Sequence, residues 1–125
     1  MTKALAIGGS SVTAEALAKV IEANKGTVLR NAHVSKILLT GKRATGVVYK
    51  KGNELITANA KREVILCAGA VQSPQLLELS GIGNPDVLKR AGVTPLHELN
   101  GVGESLRDHL HVRVAFETHL RTNLN

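Results

Sequence analysis

Apolar residues along this 125-residue chain recur with two different periods. Over residues 13–24, Ala14, Leu17, Ala18 and Ile21 fall three or four positions apart while Glu15, Lys19 and Glu22 fall opposite, the spacing of a helix with one apolar stripe. Asn24-Lys25-Gly26 closes that helix, with a glycine available for a left-handed cap. The pattern then shortens. Residues 27–30, 33–39, 44–49 and 54–58 are runs rich in Val, Ile, Leu, Thr and Tyr, separated by Gly41-Lys42-Arg43 and Lys51-Gly52-Asn53. Such runs with such turns predict a strand followed by an antiparallel meander. Glu63-Val64-Ile65-Leu66 predicts a further strand, buried, which runs into the small residues Ala68-Gly69-Ala70. Ser73-Pro74 reads as an N-cap with proline in the first helical turn, Gln75 to Leu79 as a short helix, and Ser80-Gly81-Ile82-Gly83 as its end. Asn84-Pro85-Asp86 caps a helix over 86–91, Gly92 stops it, residues 93–97 are extended, and residues 112–116 alternate as a strand.

Composition narrows the picture. The length suits one domain with a modest core, and a hydrophobic content of 43% is that of a globular chain. Aromatic residues make up 2%, so the core is aliphatic and a base-stacking platform for single-stranded nucleic acid is not expected. The net charge of +6 is spread, with its tightest groups (Lys42-Arg43, Lys50-Lys51, Lys61-Arg62) at or beside turns, where solvated bases belong. No nucleic-acid motif accompanies it. The single cysteine, Cys67, cannot form an internal disulfide and, at the end of a buried strand, reads as packing. No apolar run approaches the roughly 20 residues of a bilayer span, and the first seven residues are too short for a signal-peptide core. The expectation is a soluble, cytoplasmic protein without a transmembrane segment.

Several candidate chemistries fail on their own terms. Gly8-Gly9-Ser10-Ser11 suggests a phosphate loop, but the third glycine of the dinucleotide fingerprint and its downstream acid are missing, so the segment reads as a lead-in ending in an N-cap. The Gly-x-Ser-x-Gly elbow of serine hydrolases is absent. His109 and His111 would share one side of a strand, yet no third ligand is evident, so no metal is expected. A proton-accepting histidine could come from His33, His97, His109, His111 or His119, and nothing in the pattern selects one.

Residues 67–83 resemble the second signature of the glucose–methanol–choline (GMC) oxidoreductases, flavoenzymes that oxidise alcohols. Gly69-Ala70, Ser73-Pro74, Leu76-Leu77 and Ser80-Gly81-Ile82-Gly83 occupy its fixed positions. Gly101-Val102-Gly103, Leu106, Asp108 and His109 are similar to the segment that follows it in the family, with Ser105 where that segment has asparagine. Gly8-Gly9-Ser10-Ser11 resembles a run in the first signature, although Val12-Thr13-Ala14 stands where an asparagine is usual. Residues 64–70 and 97–104 look like the choline-dehydrogenase branch.

The resemblance implies an α/β fold: part of an FAD-binding two-dinucleotide-binding-domain (Rossmann-like) fold with an antiparallel β-meander excursion. It makes residues 1–125 a partial FAD-binding domain, with a helix at 11–26, strand and meander at 27–62, the strand–turn–helix signature at 63–83 and the start of the next segment at 84–118. It implies FAD as cofactor, a small-molecule alcohol as substrate and hydride transfer to the flavin. It also implies cofactor contacts at the adenosine end from the main chain of Val34 and from Ala68, Gly69 and Ala70. The family's catalytic histidine and pyrophosphate loop belong to segments this sequence does not contain. No catalytic residue is therefore assigned, His109 is read as structural, and the chain alone is not expected to turn over an alcohol. Residues 16–46 also resemble carotenoid-desaturase-type flavoproteins, and a non-catalytic basic binding module is the alternative from another class.

Overall fold

The computed structural model describes residues 11–112 and 114. In chain order they form α1 (Ser11–Ala23), β1 (His33–Thr40), β2 (Arg43–Lys51), β3 (Glu54–Asn59), α2 (Gly69–Leu79), β4 (Ile82–Gly83), α3 (Pro85–Arg90) and β5 (His97–Glu98). The expected meander is present: β1, β2 and β3 make one antiparallel sheet in that order. β4 and β5 pair in parallel, Ile82 opposite His97 and Gly83 opposite Glu98.

The core forms where α2 lies on β1. Ile37, Val47 and Leu76 are buried together, with Val34, Ala44, Ala58, Val64, Leu66 and Leu77 packed around them. Each aliphatic side chain removed from water there contributes about 2 kcal/mol. Beyond the end of α2, Leu88 is 1% exposed and sits against Gly83, which seats α3 beneath β4. Asn84 caps α3, its Oδ1 accepting the N–H groups of Asp86 (2.9 Å) and Val87 (3.4 Å).

Three expectations are corrected. Residues 27–30 form no strand, because no neighbouring strand lies beside them among the described residues. Residues 63–67 are likewise outside any ladder: Val64 and Leu66 turn inward to the core, whereas Ile65 and Cys67 are exposed. The segment is therefore not a buried strand, and Cys67 is not core packing. Finally, α2 starts at Gly69 and carries Pro74 inside it. Ser73 is not the N-cap; its hydroxyl accepts the N–H of Ala68 at 3.1 Å from within the helix. The strand expected over 112–116 and the lead-in through Gly8-Gly9-Ser10-Ser11 lie largely outside the described residues. Among the described residues no helix is long and apolar enough to cross a membrane.

Candidate cofactor site

The site expected at Val34 is a main-chain site, so the question is which way that main chain faces. Ala60 N–H donates to the Thr45 carbonyl at 2.8 Å, so Thr45 faces β3. Val47 and Tyr49 lie two and four residues on, opposite Ala58 and Ile56, and by strand alternation face β3 as well. Their partners on the other side are Ile37 and Val34. Both are thus non-hydrogen-bonded pairs, in which the β1 residue turns its N–H and C=O away from β2. The Ile37 N–H does so, donating to the Ser80 hydroxyl at 2.8 Å. Three residues separate Val34 from Ile37, which would ordinarily send them to opposite edges. The register shift between Val34 and Lys36 adds one residue to β1 and brings them back into phase. Among the described residues β1 pairs with β2 alone, so the Val34 peptide groups face the outer edge of the sheet.

The second group of expected residues lies where the extended segment enters α2. Leu66, which precedes the bend, and Val34 both pack on the core cluster of Ile37, Val47 and Leu76. Ala68 is fixed by its bond to Ser73. Gly69 has φ +89°, a conformation that L side chains rarely adopt, and a Cβ built on it meets nothing within 4 Å. Glycine here serves backbone shape and leaves the main chain approachable; it does not relieve crowding within the chain. Ala70, in the first turn of α2, is exposed.

At the other end of α2, Ser80 is 1% exposed. Besides accepting from Ile37, its hydroxyl donates to the Leu76 carbonyl at 2.6 Å. Gly81 follows with φ +84°, and a Cβ there would stand 2.7 Å from the Thr94 carbonyl oxygen. The close approach lets the Gly81 carbonyl accept from Leu96 N–H (2.8 Å) and His97 N–H (3.0 Å). Sequence reasoning read Ser80 as a helix end only. Its link to Ile37, 43 residues away, has no local signature.

Further along, Val102 is buried and Ser105 has φ +56°, the left-handed region that asparagine tolerates better than serine. The position's usual asparagine therefore has a backbone reason. His109 and His111 are exposed, and the His109 N–H is held by the Asp108 carboxylate at 2.8 Å.

Comparison with known proteins adds a family context. A family model described as GMC oxidoreductase matches residues 8–111. An oxygen-dependent choline dehydrogenase of Pectobacterium atrosepticum is 49% identical over 90 residues, covering 72% of this chain and 16% of that protein. A counterpart from Xanthomonas euvesicatoria pv. vesicatoria is 50% identical over 91 residues, covering 71% and 16%. Among solved structures, an FAD-dependent oxidoreductase from Chaetomium thermophilum superposes with TM-score 0.61 at 36% identity, over 66% of this chain and 15% of its own. A pyridoxine 4-oxidase from Mesorbium loti gives 0.60 at 36% identity, over 66% and 16%. The chain spans 16% of the length of the curated relatives it matches.

Proposed function

Because the chain belongs to the GMC oxidoreductase family, we propose that it forms the adenosine-holding part of an FAD-dependent enzyme that oxidises the CH–OH group of an alcohol. Membership leaves no place for the desaturase-like alternative. The similarity to choline dehydrogenases favours a small, choline-type alcohol as substrate.

The observation that carries the reading is the orientation of Val34. A strand residue facing an open edge offers one N–H donor and one C=O acceptor, and an adenine edge offers the complementary pair. Ser80 closes the same edge at Ile37. What remains beside Val34 suits a flat base and not a full neighbouring strand. Gly69, without a Cβ and open on that side, lets a ligand come close to the backbone of the bend. The residues therefore fit the group. Bound FAD would supply the hydride acceptor. Val34 would hold and orient the base through its main chain, and Ala68, Gly69 and Ala70 would line the sugar side. No residue of this chain is assigned to proton removal from the alcohol. The exposed thiol of Cys67 suits a reducing compartment such as the cytoplasm.

Titration calorimetry with the two halves of the cofactor tests this. ADP is expected to bind the protein and FMN is not. Binding of FMN without ADP would overturn the assignment.

A further inference from the structure

We propose that Ser80 is a positioning residue for the adenosine site: its hydroxyl locks α2 to β1 and so sets the distance between the two main-chain arms that hold the nucleoside. The inference rests on the reading above and adds to it a residue that does not touch the ligand.

The two arms belong to different parts of the chain. Val34 is on β1, and Ala68 to Ala70 form the entry to α2. Leu76 and Leu77 pack on the core beside β1, but aliphatic contact is non-directional and leaves a helix free to slide along its axis. Directional bonds remove that freedom. Ser80 provides them at one end of α2, accepting from Ile37 N–H at 2.8 Å and donating to Leu76 C=O at 2.6 Å. Ser73 fixes the bend to the same helix, accepting from Ala68 N–H at 3.1 Å. Helix α2 thus becomes a strut of fixed register, with the Ile37 side of β1 at one end and the bend at Gly69 at the other. The Ile37 peptide and the Val34 peptide face the same edge, so fixing one fixes the other's place along α2. Ser80 is also fully enclosed, so water cannot replace its hydroxyl. Removing it leaves the Ile37 N–H without its acceptor at a buried position, and the strand must shift to find another.

The test compares ADP binding by calorimetry for the wild-type protein, Ser80→Ala, Ser80→Thr and Asn84→Ala. Asn84→Ala removes a helix cap of comparable energy from α3 and controls for general loss of stability, followed by thermal melts. Ser80→Ala is expected to weaken ADP about tenfold, the scale of one lost buried hydrogen bond. Ser80→Thr keeps the hydroxyl and restores most of the affinity. Asn84→Ala lowers the melting temperature with ADP affinity unchanged. If Ser80→Ala binds ADP like the wild type, or if its affinity loss matches that of Asn84→Ala at equal loss of melting temperature, Ser80 is only structural and the proposal is wrong. Failure of the wild-type protein itself to bind ADP would instead sink the adenosine site, and this inference with it.

Discussion

In the proposed adenosine site, Val34 and the glycines of the signature act through the main chain and not through side-chain chemistry. In Val34 the functional groups are peptide groups, and their direction is set by one extra residue in β1. That extra residue leaves a trace in the sequence. Val34 and Ile37 are three apart, yet both belong to the core, which a regular strand forbids. The role proposed for Val34 rests on the family resemblance; its orientation rests on the register. Gly69 and Gly81 share a left-handed backbone but differ in surroundings. A Cβ at Gly69 meets nothing within 4 Å, so beyond about 1–2 kcal/mol of backbone strain the expected effect of Gly69→Leu is on ADP, at least tenfold weaker binding by calorimetry. Gly81→Ala meets the Thr94 carbonyl oxygen and is expected to cost about 3 kcal/mol in urea unfolding, strain and overlap together. Ser105→Asn, at φ +56°, is expected to gain about 0.5 kcal/mol in the same measurement.

At the scale of elements, what could be read in advance was what depends on neighbours in sequence. The β1–β2 and β2–β3 hairpins follow from β-favouring runs joined by Gly-containing turns, and α3 follows from Asn84 and Pro85. Two segments differ from expectation, each for its own reason. Ser73-Pro74 is compatible both with a helix start and with the second turn of a helix already begun; the bond from Ala68 N–H to Ser73 decides for the second. The run at 63–67 has strand composition, but a strand needs a partner, and extended residues without one alternate between the core and solvent. The α3 cap offers a clean test of the local part: Asn84→Ala is expected to lower stability by about 1 kcal/mol by thermal or urea unfolding.

At the scale of the molecule, large apolar side chains stand exposed on several faces: Leu17 and Val20 on α1, Ile65 on the extended segment, Val71 on α2. The chain also spans 16% of the length of its choline-dehydrogenase relatives. The proposed adenosine-holding role predicts that the 125-residue chain, supplied with FAD, a dye acceptor and choline, shows no turnover. Steady dye reduction above a protein-free control would count against that division of labour. The peptide group of Val34 can be observed directly by following backbone amide signals of the labelled protein in nuclear magnetic resonance during titration with ADP. The Val34 amide is expected to shift and to exchange more slowly with solvent as ADP saturates, and to stay unchanged with FMN. Saturation with ADP that moves other amides while leaving Val34 untouched would show that Val34 does not hold the base.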